Sequence, residues 1–162
     1  MAKLLLRARR NLHAWRRLTW IERRWLLQAL VLLPLISVGL PLLGLRRLQR
    51  LLRRGMSGEV ASDQRGANAN NVVLTECQKI TKMVNIAAGH SPFVATCLQR
   101  SIVLWWLLGR KGFACDLRLG AQKAEGQFEA HAWVEYHGTV LNDTEDVQQR
   151  FATFDAPVTE AS

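Results

Sequence analysis

The sequence predicts an α+β domain preceded by a basic, apolar N-terminal arm, and three observations carry that reading. Apolar residues recur at three- and four-residue steps through 73–87, and a dense apolar stretch at 102–108 follows a helix-start signal, so two helices come first. Segments 114–119, 129–136 and 139–143 then read as strands, and helices followed by strands, without alternation, make an α+β arrangement. Charge divides the chain as well. Residues 1–54 carry 13 Lys/Arg and one acid, Glu22, a balance of +12, whereas residues 55–162 carry 9 against 12, a balance of −3. This excludes a uniformly basic nucleic-acid-binding domain. It divides the chain into a basic apolar helical arm at 1–54, a polar linker at 55–70 and a near-neutral domain at 71–162. A hydrophobic content of 49% excludes disorder of the whole.

The arm begins by interleaving Leu and Arg with Trp15 and Trp20, a mixture suited to an anionic membrane surface. From Trp25 to Leu45 no residue is charged. At about 1.5 Å per residue this run would just cover a hydrocarbon layer of roughly 30 Å, so its length permits a span. Pro34 and Pro41, with Gly39 between them, predict two shorter apolar helices instead of one. Eight basic residues precede the run and five follow it within 46–54, which would keep the N-terminus in the cytoplasm and export the rest. A secretory signal fits poorly, because a second Arg-rich segment stands where a small-residue cleavage site belongs. Three arrangements stay open: helices in the membrane interface, helices packed on the domain, or a single span. The expected location is accordingly the cytoplasm, free or at the cytoplasmic membrane face, or a single-pass membrane setting.

After the linker, Val73, Cys77, Ile80, Val84 and Ala87 form the stripe of an amphipathic helix ended by Gly89. Cys77 falls on that stripe and reads as a core residue. Ser91 and Pro92 follow, and then Thr96 with Gln99 three residues on makes a capping box that puts Cys97 at the first helical position. There the unpaired amide hydrogens and the positive end of the helix dipole stabilise a thiolate, and the same amides can receive an oxyanion. The helix continues through Trp105 and Trp106 to Gly109 or Gly112, and being apolar nearly all round it should be the buried central one. Cys115 lies in the first strand and reads as core. Three cysteines with no C-x-x-C pair disfavour a disulfide framework and a structural zinc site, and suit a reducing compartment; no cofactor or metal is expected.

The most informative stretch runs from Glu129 to Asp143. A three-residue loop of Tyr136, His137 and left-handed Gly138 would pair Glu135 with Thr139, Trp133 with Leu141 and His131 with Asp143. Directly opposite residues share a face, so Asp143 would accept a hydrogen bond from the His131 ring; a two-residue loop would put them on opposite faces. Singly, His131 reads as a strand histidine and Asp143 as a turn residue. Together with a capped cysteine they read as a Cys97, His131, Asp143 triad, with base and tautomer-fixing carboxylate in their usual roles. His137, placed in the turn, is the rival base; Glu145 and Asp146 are rivals for the acid, and His90 lies near Cys97 in sequence.

Thr96-Cys-Leu-Gln-Arg-Ser-Ile-Val-Leu-Trp-Trp-Leu-Leu-Gly109, then Leu117-Arg-Leu-Gly-Ala121, then His131-Ala-Trp-Val-Glu-Tyr-His-Gly-Thr-Val-Leu-Asn-Asp143 resemble the lasso-peptide leader peptidases, the B proteins of lasso-peptide biosynthesis, of microcin-processing type. That family is a transglutaminase-like branch of the papain-type cysteine proteases, and the likeness runs from about His90 to Phe154. It implies a papain/transglutaminase-like core, with a nucleophile helix packed on a small antiparallel sheet, and it assigns the nucleophile to Cys97, the base to His131 and the third member to Asp143. The implied substrate is a ribosomally made lasso precursor peptide whose leader region is removed. The implied partners are an ATP-dependent, asparagine-synthetase-like cyclase and a leader-recognition domain. Residues 1–54 are too helical, apolar and basic to be that domain, so a separate leader-recognition protein is expected.

Two other functions stay open. In the same fold, an amine can resolve a thioester as readily as water, giving a transglutaminase-like acyl transferase. A non-catalytic, membrane-associated scaffold acting through the arm is the reading from a different class.

Overall fold

A computed structural model of the protein describes residues 18–56, 67–91, 94–124 and 127–154. The expectations for Trp15 and the rest of residues 1–17, for linker residues 57–66 and for Pro92 fall outside the described residues. The architecture is α+β. Three long helices, α1 (Trp20–Arg54), α2 (Ala67–His90) and α3 (Cys97–Gly109), precede the strands β1 (Cys115–Ala124), β2 (Gln127–Tyr136) and β3 (Thr139–Val140). A single turn of helix, α4 (Val147–Arg150), and a short β4 (Ala152–Thr153) complete the described chain.

α1 starts at a second capping box, with Thr19 as cap and Glu22 three residues on, each side chain bonded to the other's backbone. The helix then runs through both prolines. The break predicted at Pro34 and Pro41 occurs instead at Gly44, whose φ of 72° and ψ of 161° are non-helical. Each proline removes one backbone donor, but packing holds the surrounding turns: Leu33 and Ile36 are buried on either side of Pro34. The change of direction is left to the residue that adopts positive φ without steric cost.

α2 starts at Ala67, inside the segment read as linker, and buries Val73, Cys77, Ile80, Val84 and Ala87 as its spacing predicts. It ends one residue beyond Gly89. The ring of His90 donates to the carbonyl of Ile86 at 2.8 Å, so a side chain closes the last turn where a glycine stop was expected. α3 is the central helix: it is buried at Ser101–Trp105, Leu107 and Leu108, with α1 and α2 against it and β1 and β2 packed on it as well.

The sheet has the order β3-β2-β1-β4 and is antiparallel throughout. β1 is longer than predicted and pairs with β2 from Cys115↔Tyr136 to Ala124↔Gln127. The β2–β3 loop corrects the predicted register. Tyr136 pairs with Thr139 and Glu135 with Val140, so only His137 and Gly138 form the loop. Both have positive φ, 47° and 78°, the twist that joins right-twisted strands in a two-residue hairpin.

One core joins all of this. Leu33 and Ile36 of α1, Ile80 and Met83 of α2, Ile102 and Leu104 of α3, and Leu117 and Val134 of the sheet are buried in a single cluster. A smaller cluster of Trp133, Val147 and Phe151 lies behind β2. Lys111, just after α3, pairs with Glu76 of α2 and stands 4.7 Å from the centre of the Trp25 ring of α1, tying the three helices at one end. α1 is therefore part of the core that carries the sheet. Leu33→Ala should destabilise the protein by about 2–5 kcal/mol, whereas Val31→Ala, on the exposed side of the same helix, should stay within about 0.5 kcal/mol. Urea unfolding of both variants checks this.

Candidate active site

The ring of His131, on β2, donates from Nε2 to Oδ2 of Asp143 at 2.5 Å. The direction of the bond follows from the acid. Burial pushes the Asp143 carboxyl up, but the hydrogen bonds from His131 and from the Thr144 amide outweigh it and hold the carboxyl below the usual carboxylate range. An ionised carboxylate only accepts, so Nε2 carries the proton and Nδ1 is the basic nitrogen. Oδ1 of Asp143 accepts from the Thr144 amide at 2.7 Å and from Arg150 Nη2 at 3.4 Å. The acid is thus held at both oxygens.

In a continuous ladder the two-residue loop would set Thr144, not Asp143, opposite His131. The ladder does not continue. The Leu141 amide still donates to the Val134 carbonyl at 2.9 Å, but the Val134 amide donates to Oδ1 of Asn142 at 2.8 Å, a side chain standing in for the next strand carbonyl. The chain leaves the sheet there, and Asp143 reaches His131 from outside the ladder. The predicted pairing of His131 with Asp143 is found, and the register that predicted it is not.

Asn142 also connects the strand to α3. Its Nδ2 donates to Ser101 Oγ at 2.8 Å, and Ser101 Oγ donates to the carbonyl of Ala132 at 2.9 Å. Ser101 is fully buried and lies one helical turn after Cys97. One hydroxyl thus pins the start of α3 to the residue after His131 and to the residue before Asp143. Cys97 stands at the first position of α3, half-buried, with Thr96 as its cap. The Thr96 hydroxyl takes the Gln99 amide and the Thr96 carbonyl takes the Arg100 amide. The cap thus serves Gln99 and Arg100, and the amides of Cys97 and Leu98, in the first turn, are of the kind that lacks an intrahelical carbonyl and can receive an oxyanion. The described contacts join His131 to Asp143; none joins the Cys97 thiol to the His131 ring.

The other candidates lie elsewhere. Cys77 and Cys115 are buried against each other, and the Cys77 contact and burial push the Cys115 thiol far up, which keeps it protonated. His137 is in the hairpin loop, His90 is bonded back to its own helix, and Asp146 pairs with Arg150 at 3.0 Å. Several positioning side chains escaped the sequence reading. The Phe151 ring stacks on His131 with centroids 4.9 Å apart, and Trp133 lies on the same side, its indole donating to the buried Glu135 at 2.7 Å. Gly120 makes room for both side chains, because a Cβ there would come within 2.9 Å of the Phe151 Cβ and of the Trp133 ring. Ser101, Trp133, Glu135, Asn142 and Gly120 all stand in the segments that carry the family resemblance. Their roles depend on contacts between segments that no local spacing reveals.

Ser101→Ala should cost about 1–3 kcal/mol, since it strands the buried Ala132 carbonyl and the half-buried side-chain amide of Asn142. The Asp143 carboxyl titrates lower in the folded chain than the roughly 3.9 of an unfolded one. Its ionised form therefore contributes stability above pH ~4 that is lost as pH falls through the folded value. Denaturation of the native protein and Asp143→Asn should show a difference at pH 7 that shrinks at pH 3; an equal difference at both would reject the role assigned to the ionised carboxylate.

No curated protein and no solved structure matches the chain. A family model described as the transglutaminase-like superfamily matches residues 36–154. That match takes in the second half of α1 together with Cys97, His131 and Asp143 and covers well over half of the sequence, so the chain belongs to the transglutaminase-like superfamily, whose members typically catalyse through a cysteine.

Proposed function

We propose that the protein is a cysteine peptidase that removes the leader from a ribosomally synthesised lasso-peptide precursor, with Cys97 as nucleophile, His131 as base and Asp143 as the group that orients it. The hydrogen bond from His131 to Asp143 carries the reading, because it leaves Nδ1 as a base of fixed tautomer. Superfamily membership supports cysteine-based peptidase or acyl-transfer chemistry, and the Ser101 contacts support a position for Cys97 beside that base.

In this mechanism Nδ1 takes the thiol proton as Sγ attacks the carbonyl carbon of the scissile bond. The resulting oxyanion meets the amides of Cys97 and Leu98, each such donor being worth roughly 3 kcal/mol in a well-formed site. As the C–N bond breaks, His131 returns the proton to the leaving amine, leaving a thioester on Cys97. Water, deprotonated by Nδ1, then releases the acid and restores the thiol. Asp143 keeps its charge throughout and stabilises the imidazolium formed between steps. The core peptide leaves with a free amine, the group that a separate ATP-dependent cyclase would join to an acidic side chain. A separate leader-recognition protein would deliver the precursor.

Cys97→Ala should abolish precursor cleavage, a loss on the order of 10⁴-fold or more, while Cys77→Ser retains activity to the extent that it folds. Mass spectrometry of the precursor incubated with each variant and the recognition protein reads the outcome. Unchanged cleavage by Cys97→Ala would falsify the peptidase assignment and leave the scaffold reading.

A further inference from the structure

We propose that the outer face of α1 lies in the plane of an anionic lipid surface and holds the domain there. The inference does not rest on the peptidase reading. Trp20, Leu27, Val31, Leu35, Val38 and Leu42 are spaced so that they fall on one side of the helix, and they are between 49% and 80% exposed. The opposite side, with Ala29, Leu33 and Ile36, is buried in the core. α1 is therefore apolar on two faces, and only one has a partner within the described residues. At about 1.5 Å per residue the exposed stripe from Trp20 to Leu42 is roughly 33 Å long, and a soluble surface seldom leaves so continuous an apolar strip in water.

Charge selects the occupant. Arg24 stands on the stripe near its start, and beyond the Gly44 bend the helix exposes Arg46, Arg47, Arg50 and Arg54. An apolar face with arginines at both ends suits acyl chains below anionic headgroups, with Trp20 at headgroup depth. Packing disfavours a span. Lys79 and Lys82 of α2 are within electrostatic reach of Glu22 on α1, and Glu76 and Lys111 pair beside Trp25. A spanning α1 would draw the helices packed on it, with these charges, toward hydrocarbon. Lying flat, α1 puts only its unpartnered face into lipid.

The test is flotation of the full chain with vesicles of phosphatidylcholine alone and of phosphatidylcholine and phosphatidylglycerol at 7:3. Partitioning should be at least tenfold stronger to the anionic vesicles. The double variant Val31→Glu, Leu35→Glu should lose at least tenfold of it with an unchanged circular dichroism spectrum. The triple variant Arg46→Gln, Arg47→Gln, Arg50→Gln, which leaves the stripe intact, should lose most of the preference for anionic over neutral vesicles. Binding that ignores vesicle charge overturns the proposal. So does binding that survives the glutamates, or a protein that floats with neither vesicle and sediments as a dimer that the glutamates disperse.

Discussion

Ser101 holds one buried hydroxyl between two backbones that would otherwise have no reason to meet. Its oxygen donates to the Ala132 carbonyl and accepts from Asn142, which itself fills the place of a missing strand partner at the Val134 amide. The edge of β2 needs those bonds, because β3 is only two residues long and covers too little of it. Without Asn142 and Ser101 the edge would carry unpaired buried groups at about 1–3 kcal/mol each. The same three bonds place α3 beside the strand that carries His131 and fix where the chain turns toward Asp143. Completion of the sheet edge and construction of the candidate site are a single physical event.

The aromatic group behind β2 works from the other side. Phe151 stacks on the His131 ring, Trp133 lies alongside, and Glu135 accepts a hydrogen bond from the Trp133 indole while Arg118 donates to its other oxygen at 3.1 Å. These contacts restrict the imidazole to one plane, so the bond to Asp143 orients a ring that already has little freedom. Stability and site geometry draw on one set of contacts, and α1 supports them at a distance by closing the far side of the core on which α3 rests.

Local signals were legible where the physics is local. The Thr96–Gln99 box put Cys97 at a helix start because capping involves only four consecutive residues. The stripe of α2 was legible because one face repeats every three or four residues. The hairpin was legible as a hairpin but not in register, since His137 accepts a left-handed conformation that a reading based on glycine alone withholds from it. The bend of α1 was expected at the prolines and lies at Gly44, because packing around Leu33 and Ile36 outweighs the loss of single backbone bonds.

The amino-acid sequence by itself determined the helices α2 and α3, the strands β1 to β3, the capped position of Cys97, the core placement of Cys77 and Cys115, and the concentration of positive charge in residues 1–54, away from the candidate triad. Tertiary structure alone decided that His131 meets Asp143 through a broken ladder, that Ser101 ties both to the helix of Cys97, and that one face of α1 belongs to the core while the other faces outward. The first group follows from interactions within a few residues of the chain. The second depends on which distant groups are left to satisfy one another once the core has closed, and no local pattern encodes that.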